Sequence, residues 1–211
     1  MALSKIQPAS MDLTANYAFT GTNSVAGLEY AEKKLSTVTA DDSGTTLTIS
    51  SNINNTYNIY KFRFIDLHFA TNNIDFTVDY TTDGTNYNAT QTSTMFAALH
   101  NESGSSTALE YRTGADVAQG TGPQIAENIG NGADESIAGE LFLFDPSSTT
   151  FVKHWISKFH TYNQADYAGS HFASGYVNST SAVTGVRFTS TPIKSIEELT
   201  SSHSRLLQSK R

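Results

Sequence analysis

The sequence predicts an all-β protein, an antiparallel jelly-roll-like β-sandwich, and three observations lead to that prediction. Short runs alternate polar and apolar residues, as Thr-Thr-Leu-Thr-Ile-Ser does at 45–50, which places alternate side chains on opposite faces of a strand. Charged residues are only 16% of the chain, against about 25% in an average domain, so helix-favouring Glu, Lys and Arg are scarce. Turn residues separate the runs, and no long helical pattern intervenes.

Length, charge and cysteine content limit the class of protein further. The 211 residues fit one sandwich domain, and the absence of cysteine excludes disulfides, thiolate metal sites and thiol enzymes. The net charge is −7, whereas a nucleic-acid-binding protein requires a basic surface, so no DNA or RNA partner is expected. The chain has no apolar run of about 18 residues, and residues 1–6 lack the apolar core of a signal peptide. We therefore expect a protein that is synthesised in a cytoplasm and does not insert into a membrane.

The first predicted strands lie at 35–39 and 45–50, separated by the turn residues Asp42-Ser43-Gly44. The next run, 58–69, changes phase, because Tyr60, Phe62 and Phe64 share one face whereas the apolar positions that follow are odd-numbered. Such a change of phase predicts a β-bulge or a strand that is buried on both faces.

The run 74–80 shows the clearest alternation, and Asp83-Gly84 after it predicts a hairpin turn. The remaining strands are predicted at 93–100, 108–111, 140–144, 150–160, 171–177 and 183–189. The Gly-rich stretch 114–139 is predicted to be a long surface loop with at most one helical turn.

The chain divides into three predicted segments. Residues 1–27 form an N-terminal arm, because Pro and Gly interrupt every periodic pattern there, and residues 28–191 form the sandwich. Residues 192–211 are a predicted non-β tail, helical or mobile, since Pro192 cannot donate to a sheet and Glu, Lys and Leu follow it. We expect the tail to be dispensable for folding.

The period-2 positions also predict the core. Its expected members are Phe62, Phe64, Phe76, Val78 and Leu141.

Trp155 is expected in the core beside Phe151 and Phe159, with His154, Ile156 and Lys158 pointing outward. The alternative is an exposed tryptophan that stacks on a sugar ring.

Catalytic and metal-binding patterns are weak. The six histidines are His68, His100, His154, His160, His171 and His203, and no two are four residues apart, so no helical zinc site is expected. His68 and His100 could meet across neighbouring strands with Asp66 or Glu102, but isolated strand-end histidines are the more common case. The carboxylates considered as hydrolytic pairs are Asp66, Asp75, Asp79 and Asp116, and nothing in the sequence singles out two of them. We expect no enzyme activity and no cofactor.

Several sequence segments resemble virion structural and tail-fibre-like proteins of marine tailed bacteriophages. They are YNIYKF at 57–62, IDLH at 65–68, LHNE at 99–102, DVAQG at 116–120, GELFLFDP at 139–146, STTFVKH at 148–154 and GYVN at 175–178. The opening SKIQP at 4–8 and FTGT at 19–22 is similar to the N-terminal segments of phage tail and fibre proteins. In that group a further Gly-containing strand follows the segment similar to 185–188, and this sequence departs from the pattern at 193–211.

The resemblance implies a structural or attachment component of a virion, on the tail, a fibre or the capsid surface, and not a reaction. We expect a homo-oligomer that contacts other virion proteins through many weak contacts.

The alternative is a carbohydrate-binding module that recognises a host-surface glycan, as jelly rolls often do through loop aromatics. The candidate contact residues are Tyr162, Tyr167, His171 and Phe172, around Gly169. A glycan-degrading enzyme is the third and weakest hypothesis.

Overall fold

The computed structural model describes residues 32–38, 44–190 and 193–204, and within them the protein is an antiparallel β-sandwich without a helix. The strands are β1 (Lys33–Val38), β2 (Thr46–Ile49), β3 (Ile59–Phe69), β4 (Ile74–Thr81), β5 (Gln91–Asn101), β6 (Thr107–Tyr111), β7 (Ala118–Gly120), β8 (Gln124–Ile129), β9 (Ile137–Phe144), β10 (Lys153–Tyr162), β11 (Tyr167–Val177), β12 (Gly185–Thr189) and β13 (Ile193–Ser204). The predicted all-β sandwich is confirmed.

Two sheets of unequal size form the sandwich. The large sheet has nine strands in the order β1-β13-β3-β9-β10-β11-β5-β6, with β7 beside the other end of β5. The small sheet has four strands in the order β2-β12-β4-β8. Sequence neighbours such as β4 and β5 lie in different sheets, so the chain crosses repeatedly between the layers, an order compatible with a jelly roll.

The core lies between the two sheets and is aromatic. All five predicted core residues are buried, with at most 1% of their surface exposed. The Phe64 ring of the large sheet packs edge-on against Phe76 and Phe188 of the small sheet, with centroid distances of 5.4 and 4.8 Å. Trp155 and Phe159 are also buried, as predicted, whereas Phe151 is exposed and lies before β10.

The predicted β-bulge is present in β3. Its pairing with β9 shifts register between Phe64 and Leu67, and Asp66 has a φ of 49°. Phe62 and Phe64 occupy even positions, whereas Leu67 and Phe69 occupy odd positions. The extra residue of the bulge compensates for this change, so all four side chains point into the core.

The predicted hairpin at Asp83-Gly84 is wrong, since β4 and β5 belong to opposite sheets. The turn itself forms, because the Asp83 carboxylate accepts hydrogen bonds from the backbone N–H of Thr85 and Asn86 and Gly84 has a φ of 78°. The turn therefore forms as its sequence predicts, but β5 pairs with β11 and β6 and not with β4.

The predicted loop at 114–139 is also wrong, because it contains β7, β8 and the start of β9. Ile125, Ala126 and Ile129 are buried against the core. Strand β8 shows no period-2 alternation, since Ile125 and Ala126 are consecutive and Asn128 has a φ of 57°. This irregular strand therefore carries no sequence pattern that predicts it.

The predicted non-β tail is wrong for residues 193–204, which form β13 between β3 and β1. Two neighbouring strands supply backbone partners on both sides, and this tertiary pairing overrides the helix preference of Glu and Leu. Residues 205–211 and the predicted arm at 1–27 lie outside the described residues.

Candidate binding face of the large sheet

Exposed apolar side chains gather on the face of the large sheet that points away from the core, here called the outer face. In the described residues the exposed large hydrophobics are Leu109 (76%), Phe151 (69%), Tyr111 (55%), Ile156 (51%) and Phe96 (47%). Four of them lie on the outer face, because alternation along β5, β6 and β10 points their side chains away from buried neighbours such as Met95 and Trp155. An apolar cluster of this kind marks a contact surface more often than scattered residues do.

An aromatic row crosses four strands at the centre of the outer face. Lys158 of β10, Phe172 of β11, Phe96 of β5 and Tyr111 of β6 lie opposite one another in register. The Phe96 and Phe172 rings stack with a centroid distance of 5.1 Å and an interplanar angle of 12°. The Lys158 ammonium lies 5.5 Å from the Phe172 centroid. Because the ring separation is close to the strand spacing of about 4.8 Å, the rings stand upright on the sheet and present edges to solvent.

A shallow groove of about 440 Å³ lies beside the aromatic row. The hydroxyls of Thr94 and Ser174 share a hydrogen bond of 3.3 Å there, and Ile156 flanks them. The His154 and Tyr176 rings, 6.1 Å apart and tilted by 58°, line the same groove. The groove therefore combines two rings with hydroxyl groups.

Charged side chains occupy the other flank of the outer face, on β3 and β9. The Lys61 ammonium is 3.0 Å from the Glu140 carboxylate and 3.2 Å from Glu32. Burial lowers the pKa of Lys61, but its hydrogen bonds to these two carboxylates outweigh burial and raise the pKa above its ordinary value. Arg63, Glu140, Lys158 and Ala138 border a second groove of about 380 Å³. The outer face thus passes from apolar at β6 to charged at β3.

No protein-family model, curated protein or solved structure matches this chain.

The four residues that the sequence suggested as a glycan or partner contact do not form one site. Phe172 lies in the aromatic row, but its neighbour His171 points to the opposite side of the sheet and is 1% exposed. Tyr162 lies at the end of β10 and donates a hydrogen bond of 3.1 Å to Asp166 Oδ1. Tyr167 lies four residues before His171 on β11, so it is on the same face of the sheet as His171, and it is half-buried. Strand alternation therefore separates Phe172 and Tyr162 from His171 and Tyr167.

His171 belongs to a buried polar cluster beneath the large sheet. Its Nε2 lies 3.2 Å from the Thr161 hydroxyl, and an ion pair joins Arg112 to Glu127 nearby. Burial, with the charges of Arg112 and His160 adding to it, lowers the pKa of His171 to about 4. A neutral, enclosed imidazole of this kind serves packing, and it has no open side for a ligand.

The candidate hydrolytic carboxylates are dispersed, and each has its own local partner. Asp66 is 3.2 Å from His68 Nε2, and Asp116 accepts a hydrogen bond from the Tyr111 hydroxyl. Asp79 accepts the Gly122 N–H at 2.7 Å, and burial raises its pKa.

Asp75 lies four residues before Asp79, on the same face of β4. Its carboxylate accepts a hydrogen bond of 2.9 Å from the side-chain amide of Gln124. No two of these four carboxylates face each other across a cleft.

A histidine metal site does not assemble either. His68 lies on β3 and His100 on β5, with β9, β10 and β11 between them, so the two do not meet across neighbouring strands. In the ranges that the structure describes, no group of three or more His, Asp or Glu residues could hold a metal ion. The same ranges contain no helix that could span a membrane.

The aromatic row was missed by the sequence reading, although a signal for it exists. The segment Met95-Phe96-Ala97-Ala98-Leu99 has apolar residues at both odd and even positions, and therefore on both faces of the strand. A strand with apolar residues on both faces is expected to be covered on both faces. Here the structure buries only Met95 and Ala97, so Phe96 is left exposed.

Proposed function

We propose that the chain is a non-enzymatic structural or attachment component of a tailed-phage virion, and that it binds other virion proteins through the outer face. The single observation that carries the proposal is the gathering of exposed Phe96, Leu109, Tyr111 and Ile156 on one side of the large sheet. Burial of such side chains against a partner removes apolar area from water, which stabilises a complex. The assignment to a phage particle rests on the sequence segments that resemble virion proteins.

The orientation of the rings favours a protein partner over a sugar at the aromatic row. A pyranose stacks on an open ring face, but the Phe172 ring has Phe96 on one side and Lys158 on the other. Upright rings instead form a ridge that fits between side chains of another protein. Tyrosine and phenylalanine, the aromatic residues of this row, are enriched at protein–protein interfaces.

A non-enzymatic role is supported by the titratable groups. Two strongly shifted groups, His171 and Tyr80, are buried in the interior. Two others are exposed and owe their shifts to local contacts: hydrogen bonds within its own turn, first from the Asn86 N–H, lower the pKa of Asp83, and desolvation with the hydrogen bond to Asp166 raises the pKa of Tyr162 to about 12. Catalytic groups need both a shifted pKa and access to a substrate. The dispersed carboxylates point the same way.

Incorporation into purified particles tests the proposal. Quantitative mass spectrometry should find the wild-type chain in gradient-purified virions and much less of a Phe96→Ser, Tyr111→Ser double variant. The matched control is Phe151→Ser, which removes a ring that is at least as exposed but precedes β10 and lies outside the aromatic row. Absence of the wild-type chain from particles would overturn the virion assignment, and equal incorporation of the double variant would overturn the outer face as the contact.

The groove beside the aromatic row supports a second candidate function, recognition of a host-surface glycan. Tyr176 and His154 offer ring surfaces, and Thr94 and Ser174 offer hydroxyls within the same groove. A neutral glycan is bound by this combination of stacking and hydrogen bonding. A glycan array with the wild-type protein and Tyr176→Ala tests it, with Tyr111→Ala as a control outside the groove. Binding that Tyr176→Ala removes and Tyr111→Ala retains would support this function.

A further inference from the structure

Strand β6 forms one edge of the large sheet. It pairs with β5 over Thr107–Tyr111 in an unbroken antiparallel register, and no strand in the described residues lies beyond it. An uncovered edge leaves a row of backbone N–H and C=O groups that can pair with another strand.

The pairing with β5 determines which groups point outward. The backbone N–H of Asn101 donates to Ser106 O, and the N–H of Arg112 donates to Met95 O. Hydrogen-bonded pairs alternate in an antiparallel ladder, so Ala108 and Glu110 direct their N–H and C=O groups to β5. Thr107, Leu109 and Tyr111 therefore direct theirs to the open side.

Several features that usually prevent strand pairing are absent from this edge. Residues 107–111 contain no proline and no lysine, and the register with β5 has no bulge. Glu110 is the one charged residue in the strand, and its carboxylate is 2.6 Å from the Arg112 guanidinium. Leu109, at the centre of the strand, is the most exposed of the large hydrophobics named above.

We propose that two copies of this chain associate through β6, antiparallel and about a twofold axis at Leu109. In this register Leu109 lies opposite the partner's Leu109, and Thr107 lies opposite the partner's Tyr111. All three outward pairs exchange backbone hydrogen bonds, which gives about six new bonds. Because such an interface is isologous, every contact occurs twice.

Charge selects this register over its neighbours. With the axis at Leu109, Glu110 lies opposite the partner's Ala108. With the axis at Glu110, two carboxylates would lie directly opposite each other, and like charges in that position repel. With the axis at Ala108, fewer outward groups find partners. Only with the axis at Leu109 do all three outward-pointing residues find partners without placing two carboxylates opposite each other.

The pairing also joins the two outer faces. Leu109 and Tyr111 point to the outer face, so the two outer faces form one continuous surface on which the two aromatic rows are offset, each ending at Tyr111 opposite the partner's Thr107. This inference concerns how copies of the chain assemble, and it does not depend on the assignment to a virion or on a glycan ligand.

Solution mass across a concentration series gives the first test. The full-length wild-type chain should form dimers in analytical ultracentrifugation, whereas Leu109→Pro should be monomeric at every concentration. Proline there removes an outward N–H and no bond to β5, so the fold should persist, which far-UV circular dichroism checks. Leu109→Lys is a second variant, which places two ammonium groups opposite each other, with Phe151→Lys as its matched control. A monomeric wild-type chain, or a Leu109→Lys variant that dimerises like wild type, would overturn the proposal.

A disulfide scan gives the register. The natural sequence has no cysteine, so each variant carries one thiol. Leu109→Cys should form a disulfide-linked dimer on mild oxidation, since Cα atoms of directly opposed residues lie within bridging distance. Glu110→Cys should not, because the two copies of position 110 are offset. Cross-linking of Glu110→Cys in preference to Leu109→Cys would show a different register and overturn the proposed axis.

Discussion

The Lys153 ammonium lies 2.9 Å from the carbonyl oxygen of Ser179, so a fully buried lysine joins the start of β10 to the segment after β11. The same ammonium also donates to Phe151 O at 3.2 Å. Burial lowers the pKa of this lysine, although the charge of Asp145 opposes that effect. The lysine therefore stabilises the connection of two loops at one end of the sandwich.

Replacement of Lys153 by Met should destabilise the protein by about 1–3 kcal/mol, because two partly buried carbonyl oxygens lose their donor while the apolar stem is retained. Urea unfolding measures the change. Lys158→Met is the matched control on the same strand, since Lys158 is exposed on the outer face, and it should change the free energy of unfolding by less than about 0.5 kcal/mol. Equal effects of the two variants would contradict the role assigned to Lys153.

Stability should fall as the pH is lowered from about 6.5 to about 4 because of His171. Its folded-state pKa is lowered to about 4 by burial first and by Arg112 and His160 next, whereas the unfolded value is about 6.5. The unfolded chain therefore binds more protons in this window, so the contribution is complete above about pH 6.5 and is lost on acidification, by up to about 3 kcal/mol. Below about pH 4 both states are protonated and no further loss comes from this group.

The measurement for His171 is the urea midpoint across that pH range. His171→Gln should flatten the pH dependence relative to wild type, since the titrating group is gone. His154→Gln, at an exposed position, should leave the dependence as it is. A His171→Gln variant with the wild-type pH profile would show that other groups cause the loss.

Gly175→Ala should destabilise the sandwich by about 1–3 kcal/mol through overpacking. A Cβ at this position would lie 2.6 Å from the Thr92 carbonyl oxygen and 2.8 Å from Trp155 Cζ2, and neither can move easily in the interior. Gly114→Ala is the control, because a Cβ there meets nothing within 4 Å. Thermal unfolding should separate the two variants, and equal melting temperatures would contradict the packing described around Trp155.

Removal of residues 191–211 should prevent cooperative folding, contrary to the expectation from sequence that the tail is dispensable. Strand β13 pairs with β3 on one side and β1 on the other, so its loss detaches the edge strand β1 from the large sheet and leaves one side of β3 unpaired. A chain that ends at Ser204 is the control and should fold normally. A truncated chain ending at Ser190 that still unfolds cooperatively would show that β13 adds little to the sheet.

Strand positions could be predicted wherever one face of a strand is buried. Runs such as β4 alternate because Phe76 and Val78 face the core and Asp75 faces out. The pattern failed at β8, where Ile125 and Ala126 are buried in succession. It failed at β13 as well, where pairing on both sides overrides a helix-favouring composition.

The candidate site was harder to predict than the fold. Phe172 was identified, but its stacking on Phe96 depends on β11 and β5 being neighbours, and strand order is not encoded in periodicity. For the same reason the sequence left open whether His68 and His100 meet, and the strand order separates them by three strands.

The position of β13 has a consequence for how the protein is made. Strand β3 emerges from the ribosome long before its neighbour β13, which pairs Ser204 with Ile59. One edge of β3 therefore has no strand partner until β13, the last strand of the described residues, has been synthesised. Long-range pairing of this kind makes folding slow and leaves nascent chains open to aggregation. We expect the large sheet to close after translation, in one late step, so its yield in the cell should depend on chaperones that hold the nascent chain.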